Sequence, residues 1–482
     1  MNQVNLYIGG TSRPASNGKT FTRTSPISGE VVSVAAAGTV ADAEAAIEAA
    51  AKAFSSWSAL APSERRLRLL KAADALSAKT DEFIRLGMQE LGSSAAWYGF
   101  NVHLSANMLR DAAGMVTQIQ GDIIPSDVPG QTAMAVRSPC GVVVSMSPWN
   151  APIILAVRAI AMPLACGNTV VLKASENCPA VHELLVKTLS ESGLGDGVVN
   201  LVTHSPEDAP TVVEALIAHD AVKRVNFTGS THVGKIIARH CAEHLKPVLL
   251  ELGGKAPVIV CDDADLDEAT NAIVFGAFFN QGQICMSTER LLVQESIADA
   301  LIAKLKAKID SLSTGIPSNP VHIALVESQK SADRIMALVK DAEDKGAKAI
   351  TKYTVNGTAI SPILLDGITP EMRLYTEESF GPVCTLERFS TDEEALAKAN
   401  ESQFGLSSAV FSKNLSRAML LANKIEAGIC HINSATVDDE AQMPFGGMKQ
   451  SGYGRFGSRA SIEHFTELRW VTIQHGPKHY PI

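Results

Sequence analysis

The sequence predicts an α/β protein in which parallel strands form a doubly wound sheet. Between residues 141 and 228, short apolar runs rich in β-branched residues alternate with segments of helical length. Runs that are apolar throughout are typical of strands covered by helices on both faces. The chain has 482 residues, which is too long for one hydrophobic core, so we expect two large units.

The first clear element is a helix near the N-terminus. Thr39 and Asp42 have the spacing of a capping pair, in which each side chain binds the other residue's amide. The helix predicted after this pair is amphipathic. Its apolar residues fall on one face: Val40, Ala43, Ile47, Ala50 and Phe54.

The strands of the first unit follow at regular intervals. Helical segments are predicted between them at Pro179 to Ser190 and Thr211 to His219. Because ligands of doubly wound sheets bind beyond the carboxyl ends of the strands, we expect the site where these strands end. The predicted strands are Val142 to Val144, Thr169 to Leu172, Val198 to Val202 and Arg224 to Phe227.

A second α/β series begins near Pro257 and runs to about Ile432, which puts a boundary close to Gly253-Gly254. Two segments belong to neither series. They are Gln118 to Arg137, rich in Gly, Pro and Ser, and the terminal run Glu467 to Ile473. A lone strand at the end of a chain needs a sheet edge to pair with. We therefore expect the terminal strand to add to a neighbouring subunit's sheet.

Composition and charge argue against several classes of protein. Hydrophobic residues make up 46% of the chain, charged residues 19%, and the net charge is −9. An acidic chain without a basic patch is not expected to bind nucleic acid. The uncharged stretch from Ser138 to Val157 is long enough to suggest a membrane span. Its three prolines and Asn150 would break a helix in lipid, so no span is predicted.

Targeting signals and cysteines favour the cytoplasm. The segment Met1 to Tyr7 lacks the charged and apolar regions of a secretion signal. Eight cysteines are scattered through apolar segments without the paired spacing of a zinc site, so no metal is expected. Unpaired cysteines are typical of a reducing compartment.

One cysteine has a distinctive setting. Cys285 stands just past an apolar helical run. It directly follows Ile284, at the end of the polar, glycine-containing segment Phe279 to Gln283. A lone cysteine is more often a buried structural residue, but such a loop offers the exposure and backbone donors that a nucleophilic thiolate needs. Upstream, Glu251 ends an apolar run and is followed by Gly253-Gly254. A thiol with a carboxylate suggests acyl chemistry.

These two segments resemble the aldehyde dehydrogenase superfamily, whose signatures are a Glu-Leu-Gly-Gly motif followed by a Gly-Gln-x-Cys motif. The resemblance implies that Cys285 is the nucleophile and Glu251 the general base. It also implies that Asn150, in Pro148-Trp149-Asn150, joins the Cys285 amide in an oxyanion hole. Taken alone, an asparagine in a proline-rich turn is usually a turn former. The loop Pro444 to Arg455 matches a further signature and is expected to close on a substrate tunnel.

The resemblance also implies a domain organisation. Residues 1–117 and 138–253 would form a Rossmann-type NAD-binding domain, and residues 254–453 an α/β catalytic domain. Residues 118–137 and 464–482 would form a small β oligomerisation lobe. The expected assembly is a homodimer or a homotetramer.

A turn after the last predicted strand is a candidate phosphate site. Gly229, Ser230 and Gly234 lie where a strand ends and a helix begins, so first-turn amides face a pyrophosphate bound there. A Gly-Ser turn before a helix is more often only a cap. The resemblance favours the nucleotide interpretation.

The other cofactor candidates rest on the resemblance. Lys173 and Glu176 would hold the adenosine ribose, although a charge pair in a loop is usually only solvated. A carboxylate there repels a ribose 2′-phosphate, which favours NAD and leaves NADP as the alternative. Glu378 would contact the nicotinamide ribose with Phe380 beside it, and Trp149 completes the cofactor set.

Within the superfamily, the chain most resembles the bacterial branch that oxidises aromatic aldehydes, vanillin first and salicylaldehyde next. Ser434-Ala435 replaces the Gly-Pro of the vanillin-oxidising enzymes, so the preferred ring substituents stay open. The segments that carry this resemblance are Trp97 to Asn101, Gln118 to Pro125, His431 to Asn433, Asp439 to Met443 and His479 to Ile482.

Three alternatives stay open from sequence. One alternative is that the substrate is salicylaldehyde or another aldehyde. A second is that CoA, and not water, resolves the thioester. A third is that the chain is a catalytically silent structural member of the superfamily. The CoA-dependent branch typically lacks the glutamate found at Glu251, and the intact Cys285 and Asn150 argue against a silent protein. From the residues alone, Trp97, Tyr98 and Phe100 line an aromatic pocket or belong to the core.

Overall fold

Two large sheets, each flanked by helices, organise the chain in the computed structural model, which describes residues 1–317 and 321–482. The first sheet has eight strands, and its five central strands are parallel. Two-sided burial explains why these strands have continuous apolar runs in the sequence. In spatial order the first sheet contains Gly452–Tyr453, Val248–Glu251, Val222–Thr228, Val142–Met146, Thr169–Lys173, Val199–Val202, Leu6–Ile8 and Thr11–Arg13.

The chain order of the first sheet reverses between Val142–Met146 and Val222–Thr228, which pair in parallel. The chain first adds Thr169–Lys173 and Val199–Val202 on one side of Val142–Met146, then returns to build the other side. The crevice outside the carboxyl ends of the strands at such a reversal is where these folds bind ligands. The four predicted strands are therefore confirmed, and they place a binding crevice between residues 147–150 and residues 229–230.

The second sheet has seven strands. The first strand of this sheet in the chain, Ala256–Val260, starts five residues after the first-sheet strand Val248–Glu251 ends, so Gly253-Gly254 lies between the sheets. The short strand Gly452–Tyr453 returns to the first sheet and pairs with Val248–Glu251. In spatial order the second sheet contains Lys348–Ala349, Ile363–Asp366, Val383–Phe389, Thr288–Gln294, Ala256–Val260, Ala409–Phe411 and His431–Ile432.

A three-stranded terminal ribbon lies apart from both sheets. Its strands are Asp122–Ile124, Gln131–Pro139 and Thr466–Gln474. Thr466–Gln474 pairs antiparallel with Gln131–Pro139 along its whole length. Its partner in the chain lies more than 300 residues upstream, in the other segment that belongs to neither α/β series. The expected addition of this strand to a neighbouring subunit's sheet stays a prediction. Its outer edge has no strand beside it in the described part of the chain.

Three smaller sheets complete the strands. The N-terminal sheet contains Asn2–Val4, Val31–Ala36 and Thr20–Thr24, and the two-stranded sheets are Val355–Asn356 with Ala359–Ile360 and Phe404–Gly405 with Met448–Lys449.

The helices cover the sheets, and no helix among residues 1–317 and 321–482 is long and apolar enough to cross a membrane. In the first half of the chain they are Val40–Ser58, Pro62–Ala78, Thr80–Leu91, Ala95–Met115, Pro152–Ala165, Pro179–Leu189, Ala209–Ala218 and Thr231–Glu243. In the second half they are Leu266–Phe278, Ala298–Asp310, Gln329–Asp344, Arg373–Thr376, Asp392–Glu401, Leu415–Ala422 and Ser458–His464.

The capping pair predicted for the first helix is confirmed. The Asp42 amide donates to Thr39 Oγ1, and the Thr39 amide donates to the Asp42 carboxylate at 3.0 Å. Ala43, Ile47 and Ala50 are buried and Phe54 is half-buried, whereas Val40 in the first turn is 38% exposed.

Candidate active site

Asn150 lies just beyond the carboxyl end of Val142–Met146, and three hydrogen bonds fix it there. Its backbone carbonyl accepts from Trp97 Nε1 at 3.0 Å and from Asn280 Nδ2 at 3.2 Å. Its side-chain Nδ2 donates to the Gln283 carbonyl at 3.0 Å. A side-chain amide held in this way keeps one N–H for a ligand and needs little movement when the ligand binds.

The loop before Cys285 has an unusual backbone. Asn280, Gln281 and Gly282 have φ values of 48°, 58° and 69°, so three consecutive residues lie in the left-handed region. At Gly282 a Cβ would come within 2.1 Å of the Gly381 carbonyl oxygen, so only glycine fits. Strain of this kind persists only where surrounding contacts enforce it.

The side chain of Gln281 supplies those contacts. Its Nε2 donates to Ser93 Oγ at 3.0 Å and to the Leu325 carbonyl at 3.2 Å. Its Oε1 accepts from the Ala324 amide at 3.2 Å. Two distant parts of the chain thus fix the loop that presents Cys285.

Cys285 borders two cavities, which meet at its thiol and at Asn150. Burial, and then the negative charges of Glu251 and Glu378, raise the pKa of the Cys285 thiol to about 12, while Arg158 acts in the opposite direction. The resting group is therefore a thiol that needs a base. The Cys285 amide has no backbone or side-chain acceptor within the described residues, so its N–H is available.

Glu251 is a buried carboxyl group whose charge acts on the Cys285 thiol, so it is the candidate base. It ends the strand Val248–Glu251 and is 2% exposed. Neither carboxylate oxygen has a hydrogen-bond partner of normal geometry in the described part of the structure. Burial raises its pKa well above the ordinary value, against the opposing charges of Arg158 and Arg455. A carboxylate with a raised pKa is a stronger base once it has lost its proton.

The Pro444 to Arg455 loop closes over Glu251. A Cβ on Gly446 would lie 2.7 Å from Glu251 Oε1, so the glycine allows the loop to approach the carboxylate. Arg455 donates to the Gly447 carbonyl at 2.8 Å and stabilises the loop.

The aromatic cavity, of about 670 Å³, lies on one side of Cys285. Trp97 contacts Phe100 and Phe279 with ring centroids 5.9 and 5.2 Å apart, and Phe275 stacks on Phe279 at 4.7 Å. Trp97 and Phe100 therefore line the cavity, whereas Tyr98 is fully buried elsewhere in the core. The other large apolar lining residues are Ile154, Leu155, Ile284, Met286, Val437 and Phe445, and Ser434 and Ala435 also border the cavity.

A buried charge pair reaches the same cavity. Arg158 pairs with Asp439 and its guanidinium lies 3.9 Å from the centroid of the Phe445 ring. Arg158 is the one charged residue of the otherwise apolar helix Pro152–Ala165. The sequence did not predict this ion pair, although a single arginine in a fully buried helix indicates that a partner charge is present.

A second cavity, of about 410 Å³, lies on the other side of Cys285, where the strand order of the first sheet reverses. We call it the switch-point cavity. Trp149 and Phe380 meet edge to face in its wall at 5.7 Å. Glu378 Oε1 accepts from the Gly254 amide at 2.8 Å. Burial, and then the charge of Glu289, raise the pKa of Glu378 to about 7. A Cβ on Gly253 would lie 2.6 Å from Glu378 Oε2.

Of the three residues predicted to bind phosphate, two line the switch-point cavity and one packs in the core. Gly229 and Ser230 line the switch-point cavity, and Ser230 caps the helix Thr231–Glu243 by accepting from the Val233 amide. Gly234 does not line it: a Cβ there would lie 2.4 Å from Leu252, so this glycine lets the helix pack closely.

Lys173 and Glu176 lie at the end of the neighbouring strand, outside the lining of the switch-point cavity. They form an ion pair of 3.5 Å. Although burial opposes it, the pKa of Glu176 is lowered, chiefly by Lys173. His204 lies beside them, and burial followed by the charge of Lys173 lowers its pKa to about 4.

Comparison with known proteins decides the family. The model of the aldehyde dehydrogenase family matches residues 13–471. The chain belongs to the aldehyde dehydrogenase family. It is 59% identical to a vanillin dehydrogenase of Pseudomonas fluorescens over 100% of both chains. A crystal structure of salicylaldehyde dehydrogenase from Pseudomonas putida G7 complexed with salicylaldehyde has a TM-score of 0.98, 47% identity and full coverage of both chains.

A third relative carries a cofactor. The betaine aldehyde dehydrogenase of Staphylococcus aureus in complex with NAD+ is 31% identical, with a TM-score of 0.94 over 98% of this chain and 95% of the relative. Membership of the aldehyde dehydrogenase family, with this relative, supports a nicotinamide cofactor.

The switch-point cavity fits such a group. A Cβ on Gly229 would lie 2.4 Å from the Phe227 ring and one on Gly253 2.6 Å from Glu378 Oε2, so glycine at both positions lets the backbone lie close to these side chains. The two aromatic rings of Trp149 and Phe380 offer a flat apolar surface, and a helix N-terminus faces the cavity for a phosphate. Ser331 and Arg334 also line the cavity and were missed from sequence. Within residues 1–317 and 321–482, no group of three or more His, Cys, Asp or Glu side chains is arranged for a metal ion.

Proposed function

We propose that the protein oxidises aromatic aldehydes to carboxylic acids with NAD, and that vanillin is among its substrates. The observation that carries the proposal is the position of Cys285 and Asn150 at the meeting point of the two cavities. One cavity has an aromatic lining and the other fits a nicotinamide nucleotide. A nucleophile between them reaches an aldehyde from one side while the hydride acceptor lies on the other.

The proposed reaction begins at Cys285. Its thiol has a raised pKa, so Glu251, or a water that Glu251 binds, takes the proton as Cys285 Sγ attacks the aldehyde carbon. The resulting oxyanion accepts hydrogen bonds from Asn150 Nδ2 and the Cys285 amide, which is the arrangement of an oxyanion hole. A nicotinamide ring held in the switch-point cavity would supply the hydride acceptor, and loss of the hydride from this carbon would leave a thioester on Cys285.

Release of the acid requires a water molecule. Glu251 has no hydrogen-bond partner of normal geometry among the described residues, and its burial favours proton uptake. Once it has passed the Cys285 proton to solvent, it is suited to take a proton from water as the water attacks the thioester. The carbon–sulfur bond then breaks, the acid leaves, and the Cys285 thiolate takes the proton from Glu251, which regenerates the thiol.

The substrate class is inferred from the aromatic cavity and from the relatives. Phe275, Phe279, Trp97 and Phe100 form contacts suited to a planar ring. The similar proteins are named for vanillin and for salicylaldehyde. Ser434-Ala435 borders the cavity, so we expect this segment to affect which ring substituents fit.

The direct test follows NADH absorbance at 340 nm with the purified full chain. Vanillin, salicylaldehyde, benzaldehyde and an aliphatic aldehyde are compared by kcat/KM, each with NAD and with NADP. We expect an aromatic substrate to exceed the aliphatic one by at least tenfold. Comparable values for the aliphatic aldehyde would reject the substrate class, and no NADH with any substrate would indicate a silent protein.

NAD is preferred in this proposal because of Glu176. A negative carboxylate beside Lys173 repels a 2′-phosphate on the ribose, and its lowered pKa keeps it charged. Glu176→Ala should reduce the preference for NAD over NADP by about 1–3 kcal/mol, or about 5- to 150-fold. An unmodified enzyme that uses NADP equally well contradicts the assignment.

We also propose that the chain functions as a homodimer or homotetramer in the cytoplasm. The terminal ribbon presents large apolar side chains to solvent, including Trp470 at 78% and Ile123 at 80% exposure. Exposed apolar surface of this kind marks an interface. The eight free cysteines fit a reducing compartment.

A further inference from the structure

Lys255 and Glu289 form an ion pair buried next to the switch-point cavity. Nζ and Oε2 are 2.6 Å apart, and the two side chains are 0% and 4% exposed. Desolvation of two charges offsets most of their attraction, so apolar residues of similar volume would stabilise this position as well. Stability alone is therefore a weak explanation for the pair.

The remaining partners of Glu289 lie in one turn. The Ser379 amide donates to both carboxylate oxygens at 2.8 and 2.9 Å, and the Phe380 amide donates to Oε1 at 3.1 Å. Phe380 has a φ of 46°. That value is rare and costly for an aromatic residue, so it requires an external contact that holds the turn. The Glu289 carboxylate supplies that contact to the amides of the turn, while Arg334 donates to the Glu378 and Ser379 carbonyls from outside.

The turn carries two residues that face the switch-point cavity. Glu378 points its carboxylate at the Gly254 amide, and the Phe380 ring packs against Trp149. Lys255 follows Gly254 directly in the chain. The ion pair therefore joins both segments that form this wall of the cavity to the strand Thr288–Gln294, which follows Cys285.

We propose that Glu289, paired with Lys255, is a positioning residue that fixes the 378–380 turn for cofactor binding. It touches no substrate atom and acts through Glu378 and Phe380. This inference rests on the proposed function, because it requires that NAD occupies the switch-point cavity. With the carboxylate removed, the turn relaxes from its left-handed backbone and the cavity loses its preformed wall.

A matched control lies on the same strand. Arg290 is adjacent to Glu289, so its side chain projects from the opposite face. It forms a buried ion pair with Glu387, with an N–O distance of 3.0 Å and side chains 2% and 6% exposed. Glu387→Gln therefore removes an equally buried carboxylate charge on the face away from the turn.

The experiment measures NAD binding by isothermal titration calorimetry on the wild type, Glu289→Gln and Glu387→Gln, after thermal unfolding shows each to be folded. We expect Glu289→Gln to raise the NAD dissociation constant at least tenfold and Glu387→Gln to change it less than twofold. In steady state, KM for NAD should rise in Glu289→Gln while KM for the aldehyde changes less than twofold, because the aromatic cavity is untouched.

Three results separate the possibilities. An equal loss of NAD affinity in both variants indicates general loss of packing and overturns the inference. Wild-type NAD affinity in Glu289→Gln overturns the inference but leaves the proposed function intact. A wild type that binds no NAD rejects the proposed function itself.

A conservative variant covers the case in which Glu289→Gln does not fold. Glu289→Asp keeps the charge for Lys255 but withdraws the carboxylate by one methylene from the Ser379 and Phe380 amides. We expect an NAD dissociation constant three- to tenfold above that of the wild type. A value equal to that of the wild type contradicts the positioning role.

Discussion

The proton on Cys285 determines how the proposed reaction starts. Burial and the neighbouring carboxylates raise the pKa of the thiol, so the nucleophile of the resting enzyme is protonated. Cys285 is partly exposed, as its loop setting predicts, but its surroundings favour the thiol over the expected thiolate. The sequence identified the right cysteine, but burial of the loop depends on Asn150 and on distant strands that a local pattern does not reveal.

Cys285→Ala should abolish turnover while NAD still binds, because the thiol supplies the bond that holds the acyl group and only edges the switch-point cavity. We expect kcat to fall more than a hundredfold, the scale for loss of a key catalytic group. Cys140→Ala is the control, since Cys140 is a partly buried cysteine that lines neither cavity. Retention of more than about a hundredth of wild-type kcat in Cys285→Ala would contradict the nucleophile assignment.

Glu251→Gln should separate acylation from hydrolysis. A glutamine cannot take a proton from water, so rapid mixing should give a burst of about one NADH per active site followed by very slow turnover. If Glu251 also deprotonates Cys285, the burst becomes slower as well. Steady turnover close to wild type, with no burst, is incompatible with the role.

Nucleotide affinity should depend on pH through Glu378. Its pKa is raised to about 7, so the carboxyl is protonated at pH 6 and ionised at pH 8. The ionised form accepts the stronger hydrogen bonds from ribose hydroxyls, so the NAD dissociation constant should fall as pH rises. One proton limits the change to about tenfold per pH unit. Titrations at pH 6, 7 and 8 should show this slope in the wild type and none in Glu378→Gln.

Individual residues differ in how far sequence predicts them. Cys285, Glu251 and Asn150 stand in motifs whose chemistry is recognisable. Arg158 and Glu289 were missed because each acts through a partner far away in the chain, Asp439 in one case and the 379–380 amides in the other. A charge in an apolar run indicates a partner without identifying it.

At the scale of elements, close packing of two loops limits substitution. A Cβ on Gly254 would lie 2.2 Å from the Cys285 carbonyl oxygen. Gly254→Ala should therefore displace the nucleophile loop at a cost of about 1–3 kcal/mol, and a shift of about 1 Å should lower kcat/KM by about a hundredfold.

Gly114→Ala is the control for that substitution. Gly114 lies in the helix Ala95–Met115, where a Cβ meets nothing within 4 Å. Alanine should stabilise this helix by up to about 1 kcal/mol and leave kcat/KM unchanged. Similar kinetics for Gly254→Ala and the wild type would show that the loops move apart easily.

Strands were more predictable than their partners. The four strands of the first sheet appear in the sequence because burial on both faces requires continuous apolar residues. No local pattern identifies the partner of Thr466–Gln474, since Gln131–Pro139 lies far upstream and its alternating burial gives a weak pattern. Only the family resemblance grouped the two segments in one lobe. Long-range pairing is decided by the whole fold.

At the scale of the molecule, the terminal ribbon should mediate assembly. Deleting residues 467–482 would also destroy the pairing with Gln131–Pro139, so point variants give a cleaner test. Leu468→Asp with Trp470→Asp places two charges on the exposed apolar face, where these residues are 57% and 78% exposed. Multi-angle light scattering should show a smaller species than the wild type. Val355→Asp, at a 44% exposed position outside the ribbon, should keep the native mass.

A wild type that is a monomer at micromolar concentration would reject the assembly proposal. A double variant that keeps the native mass would place the interface elsewhere.

The two cavities share few residues, and this has an evolutionary consequence. Asn150, Leu155 and Cys285 border both, whereas every other lining residue belongs to one cavity alone. Substitutions at positions such as Ser434, Ala435 or Phe275 therefore alter the space for the aldehyde without touching the residues around the nucleotide. Selection can retune substrate range on one side of the thiol while the redox half of the enzyme stays unchanged. A directed-evolution library confined to the aromatic cavity should accordingly yield new aldehyde preferences at unaltered NAD affinity.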